Sequence, residues 1–246
     1  MTSPSELPSS PKRWPRFLAA RLDPKSYLGL HFTVGLLAAA LALWLFGGLL
    51  EEVLDNATMV HWDLRAAAWI HTAQSPAGIR VFELFTNLGS PPVMATLAVV
   101  GVVTLFVTRH RLLSYVWAMA AGGGAILDWA LKLLVHRGRP EYATAFLHRA
   151  SYSFPSGHAM GSVLGFGMLA FAIAHARRLS RRARQRLYAA AAVAAFLVGL
   201  SRVYLAVHYP SDVVGGWAAG GGWLALCITA YHLVTGRARS HHPEST

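Results

Sequence analysis

Six apolar stretches dominate this 246-residue chain, and their length limits what it can fold into. Each is close to the roughly 20 residues that a helix needs to cross the hydrocarbon core of a membrane. A composition of 54% hydrophobic and 13% charged residues agrees with an integral membrane protein. We therefore predict an all-α, six-transmembrane helix bundle. The stretches run over about residues 28–50, 91–108, 112–135, 158–176, 187–208 and 212–234.

The basic residues predict how these spans are oriented. A formal net charge of +11 would suggest a nucleic-acid partner in a soluble protein, but the positions of the charges indicate a membrane instead, with no nucleic acid bound. If the spans alternate, fifteen of the 22 Lys and Arg residues fall on one side, which is the positive-inside pattern. Both termini are therefore expected in the cytoplasm, with the protein in the cytoplasmic (inner) membrane. The fifteen are Lys12, Arg13, Arg16, Arg21, Lys25, Arg109, Arg111, Arg177, Arg178, Arg181, Arg182, Arg184, Arg186, Arg237 and Arg239.

Composition along the chain divides it into three parts. Residues 1–27 combine five prolines with Ser and basic residues and are expected to form a disordered cytoplasmic tail. Residues 28–234 form the membrane domain, whose first span we expect to be an uncleaved anchor, and residues 235–246 form a second cytoplasmic tail. The single cysteine, Cys227, cannot form a disulfide within one chain. No sequence feature indicates an oligomeric state.

The segment 51–90, between the first two spans, is predicted to form helices at the outer membrane interface. Val60 and Ala67 recur at helical spacing, with Trp62 and Trp69 seven residues apart, as in amphipathic helices that lie in the interface. Ser75-Pro76 then indicates a second helix start. This segment could pack as a lid over the bundle or gate access of a substrate.

A first group of candidate site residues lies at the end of the third span. Ionisable residues at the edge of hydrocarbon are costly, so each requires a partner or a function. Lys132 lies four residues after Asp128, at helical pairing distance. Pro140 disfavours helix at Arg139, so the helix should end before it. Lys132 and Arg139 can then turn toward a common point outside the membrane core.

A second group, Pro155-Ser156-Gly157-His158, precedes the fourth span. Ser156 is placed to cap that helix, and Gly157 opens it without a side chain. A helix N-terminus offers unpaired N–H groups and a partial positive charge, which suit a phosphate oxygen. His158, in the first turn, should point into the same space.

The third group joins the last two spans. Pro210 should break the helix and fold Asp212 back toward His208. A carboxylate bound to one imidazole nitrogen fixes the tautomer and leaves the other nitrogen as the nucleophile. On an ideal helix Arg202 and His208 would lie about 9 Å apart and about 120° around the axis. Their convergence therefore needs either the long Arg side chain or an irregular helix end.

Together the three groups read Lys-x6-Arg-Pro, Pro-Ser-Gly-His and Ser-Arg-x5-His-x3-Asp, in order within residues 132–212. This pattern resembles the signature of the type 2 phosphatidic acid phosphatase family, and every signature position is matched. The six-span layout is similar to that of bacterial members which remove phosphate from membrane lipids. The resemblance covers about residues 28–234.

The resemblance implies a role for each residue, without a metal or cofactor. His208 would attack phosphorus and form a phosphohistidine, while Asp212 orients its ring. His158 would act as general acid and then as general base. The transition-state oxygens would be bound by Lys132, Arg139, Ser156, Gly157 and Arg202. Because Lys132, Arg139 and Arg202 supply the positive charge that a metal ion usually provides, activity is expected to persist in the presence of a chelator.

The leading interpretation is a membrane phosphatase that hydrolyses a lipid phosphate monoester or pyrophosphate at the outer face. Undecaprenyl pyrophosphate, phosphatidylglycerol phosphate, phosphatidic acid and lipid A phosphates are the candidate substrates. A phosphotransferase using the same intermediate is the first alternative, and a non-catalytic lipid-phosphate binding or flipping protein is the second. A vanadate-dependent haloperoxidase is disfavoured because those relatives are soluble. His136 and Arg137, between the first-group cations, could touch the headgroup.

Overall fold

The computed structural model of this chain describes residues 30–56, 58–143 and 151–240, so the predicted tail 1–27 lies outside the described residues. These ranges contain eight α-helices and no strand. The helices are α1 (Leu30–Leu54), α2 (Thr58–Ala73), α3 (Pro76–Leu88), α4 (Pro91–Val107), α5 (Arg111–Val135), α6 (Gly157–Ala176), α7 (Arg181–Tyr204) and α8 (Pro210–Ser240).

Six stretches are long and apolar enough to cross a membrane, which confirms the predicted all-α, six-span bundle. They are Phe32–Leu54, Pro76–Val107, Arg111–Val135, Gly157–Ala176, Arg181–Tyr204 and Pro210–Gly236. Two helix limits differ from the prediction. Helix α7 begins at Arg181 rather than near residue 187, because Ser180 caps it by accepting a hydrogen bond from the Ala183 amide (3.4 Å). Helix α8 continues to Ser240, into the segment predicted as a tail.

The segment 51–90 is helical, as predicted, but its second helix, α3, lies within the candidate span Pro76–Val107 rather than between two spans. In α2, Trp62 and Trp69 are exposed whereas Asp63 and Ala67 are buried, so one face of the helix lies against the bundle. Helix α3 starts at the expected Ser75-Pro76, and the Ser75 hydroxyl accepts a hydrogen bond from the Gly78 amide (3.1 Å). The packing of α2 supplies a buried carboxylate to the site described below.

The bundle is closed by contacts between helices that are distant in sequence. Helix α1 packs along α8, and α6 lies against α5, α7 and α8. The close approach of α6 and α8 depends on Gly216, since a Cβ atom there would lie 2.6 Å from the Ser156 carbonyl oxygen. Small residues permit such backbone contact between membrane helices.

Two helix ends bring the candidate residues together. Helix α5 ends at Val135, before Arg139 as predicted, with His136 in the left-handed conformation (φ 52°). Helix α7 ends at Tyr204, so the structure has the irregular helix end, one of the two alternatives that the sequence left open. Ala206 adopts φ 52°, and the His208 amide donates a hydrogen bond to the Arg202 carbonyl (3.3 Å). This irregular end places both side chains on one site.

Candidate active site

The centre of the site is a buried imidazole–carboxylate pair. His208 Nδ1 lies 3.4 Å from Asp212 Oδ2, and both residues are almost completely shielded from solvent. The same Oδ2 atom accepts hydrogen bonds from the Tyr209 amide (2.9 Å) and from the Ser153 hydroxyl. Because Asp212 is held from three directions, it fixes the orientation of the His208 ring.

The other ring nitrogen of His208 faces a guanidinium group. Arg139 Nη1 lies 3.1 Å from His208 Nε2 and also donates to the Val207 carbonyl (2.8 Å). A guanidinium group can only donate hydrogen bonds, so Nε2 must carry a lone pair and Nδ1 the proton. In the resulting tautomer the unprotonated nitrogen, Nε2, is the one on the side of Arg139.

Burial lowers the pKa of His208 to about 4 from its ordinary value of 6.5, although the neighbouring Asp212 opposes this shift. The ring is therefore neutral near pH 7, as a nucleophile requires. Burial also lowers the pKa of Arg139. Its guanidinium group nevertheless remains charged near pH 7, since a free arginine titrates above pH 12.

Lys132 is the second cation of the site. Its ammonium group pairs with Asp128 and donates to the Pro155 carbonyl (3.0 Å), which ties α5 to the start of α6. Ser156 occupies the predicted N-cap position of α6, but its side chain makes no cap hydrogen bond there. The Ser156 hydroxyl is buried and has no partner among the described residues. It is therefore available to donate to a ligand.

Arg202 is the third cation. Its Nη1 donates to Thr86 of α3 (2.6 Å), and its Nε, also buried, has no partner among the described residues. An unsatisfied buried donor is costly. Arg202 lines the cavity described next, where an anion would offer an acceptor.

These groups surround one end of a cavity of about 750 Å³. The polar end is lined by Asp128, Lys132, Arg139, Ser151, Gly157, His158, Arg202 and His208. From there the cavity continues between α4, α5 and α6, past small and apolar residues, to Trp117. Trp117 lies fifteen residues before Lys132 on α5, which corresponds to about 22 Å along the helix. Val99 and Trp129, at the edge of the cavity, are exposed on the membrane-facing surface.

The structure thus brings seven of the eight predicted residues to one site: Lys132, Arg139, Gly157, His158, Arg202 and His208 line the cavity, and Asp212 lies behind His208. Ser156 is adjacent to it. His136 and Arg137 do not line the cavity; His136 packs edge-on against Tyr152 (4.5 Å between ring centroids). In the described ranges, no group of three or more His, Cys, Asp or Glu residues is arranged to hold a metal ion.

Sequence reasoning missed Ser153 and Asp63, and it named Arg137 as a headgroup contact rather than as a partner of Asp212. Ser153 bonds Asp212, and Arg137 bonds both Asp212 and Asp63 of α2. Asp63 could have been noticed, because it lies three residues after Val60 and four before Ala67, on the apolar face of a predicted amphipathic helix. Ser153 carries no comparable signal.

Comparison with known proteins identifies the family to which this fold and this site belong. Residues 111–235 match the PAP2 superfamily, and this chain belongs to that family. It is 35% identical over 136 residues to phosphatidylglycerophosphatase B of Bacillus subtilis (strain 168), covering 55% of this chain and 66% of the relative. It is 37% identical over 106 residues to lipid A 1-phosphatase of Rhizobium etli, covering 39% of this chain and 40% of the relative. The chain thus spans less than two thirds of the length of either curated relative.

A solved structure has the same fold. The crystal structure of a transmembrane PAP2-type phosphatidylglycerolphosphate phosphatase from Bacillus subtilis superposes with a TM-score of 0.67. The match covers 85% of this chain and 98% of that chain at 23% identity. The likeness places the six-span bundle among known PAP2 folds.

Proposed function

We propose that this protein is a membrane phosphatase that hydrolyses the phosphate monoester or pyrophosphate headgroup of a lipid. The observation that carries the proposal is the single cavity that joins His208 and three cations to an apolar cleft between spans. A lipid phosphate has the same two parts, an anionic head and an apolar tail. The names of the two curated relatives, a phosphatidylglycerophosphatase and a lipid A 1-phosphatase, support this reaction class.

In the first step the lone pair on His208 Nε2 attacks phosphorus, and the bond from phosphorus to the leaving oxygen breaks. His158, which lines the same end of the cavity, donates a proton to that oxygen. The product is a phosphohistidine, whose ring keeps its Nδ1 proton toward Asp212. The carboxylate offsets the positive charge that develops on the ring.

In the second step His158 removes a proton from water, whose oxygen attacks phosphorus while the phosphorus–nitrogen bond breaks. Inorganic phosphate leaves and His208 is neutral again. Throughout, Lys132, Arg139 and Arg202 neutralise the oxygens of the phosphoryl group, and the Ser156 hydroxyl donates to one of them. Fixed cations take the role that a divalent metal has in many phosphatases, so the reaction is metal-independent.

The apolar part of the cavity holds the lipid tail. The exposed edge at Val99 and Trp129 leaves the cavity open toward the bilayer, so a tail can enter sideways between α4 and α5. Undecaprenyl pyrophosphate, phosphatidylglycerol phosphate, phosphatidic acid and lipid A phosphates all have such tails. The headgroup end lies at the outer face of the cytoplasmic membrane, since the basic clusters at Arg109–Arg111 and Arg177–Arg186 flank the opposite helix ends.

A phosphate-release assay on the purified protein tests this function. We expect wild-type protein to release phosphate from at least one of these lipids in detergent, and brief incubation with a radiolabelled phosphate ester to label His208. His208→Ala should abolish both signals, whereas His110→Ala, at an exposed histidine at the start of α5, should abolish neither. Wild-type turnover in His208→Ala would refute the nucleophile.

Three further measurements address the other parts of the proposal. His158→Ala should slow turnover most on substrates with poor leaving groups, and an equal loss on all substrates would contradict its role as an acid. A periplasmic reporter fused near residue 145 should be active if the site faces outward. Transfer of phosphate to an added acceptor in preference to water would favour the phosphotransferase alternative.

A further inference from the structure

A buried ionic network connects the interfacial helix α2 to the carboxylate behind His208. Arg137, in the turn after α5, donates through Nη2 to Asp63 (2.8 Å) and through Nη1 to Asp212 (2.7 Å). Ser211 donates its amide to Asp63 (3.1 Å) and its hydroxyl to the same carboxylate. The Arg137 side chain is 9% exposed, Asp63 is 3% exposed and Asp212 is fully buried. Charges this well shielded interact far more strongly than surface pairs.

Arg137 is held so that its guanidinium group cannot turn away. The group lies over the Tyr209 ring (4.4 Å to the centroid), and Nη1 also donates to the Ser211 hydroxyl (2.7 Å). Its backbone carbonyl accepts a hydrogen bond from the Ser153 amide (2.8 Å). Burial alone would lower the pKa of Arg137, but Asp212 and Asp63 raise it above the ordinary value. The residue therefore stays charged.

The network determines which way Asp212 faces. Oδ1 of this carboxylate is bound by Arg137, so Oδ2 is left to meet Ser153, the Tyr209 amide and His208 Nδ1. Without Arg137 the carboxylate could rotate and release the imidazole. A shift of about 1 Å in a catalytic group can cost about 100-fold in rate.

The network also sets the local charge. Two carboxylates and one guanidinium group leave a net charge of −1 beside His208, whereas Arg137 without Asp63 would cancel the charge of Asp212. The other charged or titratable groups at this end of the cavity are Arg139 after α5, Arg202 of α7, His158 of α6, and Lys132 with its partner Asp128 on α5, so their summed charge is positive. A ring that becomes positive on phosphorylation needs the remaining negative charge.

We propose that Asp63 and Arg137 are positioning residues for catalysis, which orient Asp212 and preserve one negative charge beside the nucleophile. This inference rests on the proposed phosphatase function and adds α2 to its machinery. It gives a chemical role to the segment 51–90 and to Arg137, which the motif pattern left without one.

The test compares Asp63→Asn, Arg137→Gln and the double variant in the full-length protein. Phosphate release is measured from phosphatidic acid and farnesyl pyrophosphate micelles as a function of pH. We expect Asp63→Asn to lower kcat by about 100-fold with KM within about threefold of wild type. The acid limb of kcat/KM should move down by about one pH unit in Asp63→Asn, because a negative charge is lost, and up in Arg137→Gln. In the double variant the limb should return close to its wild-type position, because the net charge is again −1.

Matched controls are Asp55→Asn and Arg65→Gln, which remove exposed charges from the same part of the chain and should stay within twofold of wild type. A folded Asp63→Asn variant with wild-type kcat would overturn the inference, as would equal losses in all three variants with an unmoved acid limb. If Arg137→Gln fails to fold, the position of the acid limb of kcat/KM in Asp63→Asn tests the inference alone. A wild-type protein that releases no phosphate from these two lipids or from any of the other candidate lipids would overturn the proposed function and the inference together.

Discussion

Adding one methyl group at Gly216 should displace the phosphate-binding end of α6. The Cβ atom of an alanine there would lie 2.6 Å from the Ser156 carbonyl oxygen, and ordinary contacts begin at 3.4 Å. The two helices must therefore separate locally by about 0.8 Å. Neither side can yield easily, because the Ser156 amide donates to the Asp212 carbonyl (2.9 Å) and the obstructing atom belongs to the backbone.

The expected consequence is a loss of activity larger than the loss of stability. Gly157 and His158 directly follow the displaced carbonyl, so a shift approaching 1 Å moves the groups that we propose bind and protonate the headgroup. We expect kcat to fall by about 100-fold. Alanine favours helix over glycine by about 1 kcal/mol, which partly offsets the steric cost to folding.

Phosphate release and thermal unfolding in detergent measure the two effects separately. Gly221→Ala is the matched control, because a Cβ atom at that position of α8 meets no heavy atom within 4 Å. It should keep wild-type kcat. If Gly216→Ala is folded and turns over within twofold of Gly221→Ala, the close contact between α6 and α8 does not position the site as argued.

Three other outcomes are expected. Because the pKa of His208 is held at about 4, the ring is neutral at pH 5 to 7, and the acid limb of kcat/KM should lie at about pH 4. A limb near 6.5 that persists after correction for the substrate phosphate, whose second pKa is about 6, would contradict this. Dialysis against EDTA should leave kcat unchanged, since Lys132, Arg139 and Arg202 supply the positive charge; activity lost in EDTA and restored by a divalent cation would show otherwise. Trp117→Leu should deepen the cavity and raise the ratio of kcat/KM for long-tailed to short-tailed lipid phosphates. Trp129→Leu, at the exposed edge, should leave this ratio unchanged. An unchanged ratio in Trp117→Leu would refute a tail-binding cleft.

The sequence predicts the spans and the order of the site residues because both depend on local patterns. Apolar length identifies the six spans, and the limits set by Pro140 and Pro210 follow from the missing proline N–H and its ring. The end of α7 could not be predicted in this way. None of the residues just after the helix, Leu205, Ala206 and Val207, is a helix breaker, yet the helix ends there and Ala206 has a positive φ.

Contacts between distant parts of the chain also could not be predicted from local sequence patterns. Asp63 and Ser211 are 148 residues apart, and their hydrogen bonds depend on how α2 packs against the start of α8. The burial of Asp63 could have been suspected from its place on an apolar helix face, but its partner could not. The same holds for Thr86, which Arg202 reaches across 116 residues.

The packing of α1 along α8 has a consequence for biogenesis. Phe46 and Leu49 of α1 pack with Phe154 and Ala218, so the first of the six spans is matched to the last of the six. Until α8 inserts into the membrane, α1 lacks the helix against which it mainly packs. The insertion of α8 also delivers Asp212, so a chain that has not yet inserted this helix lacks the carboxylate beside His208.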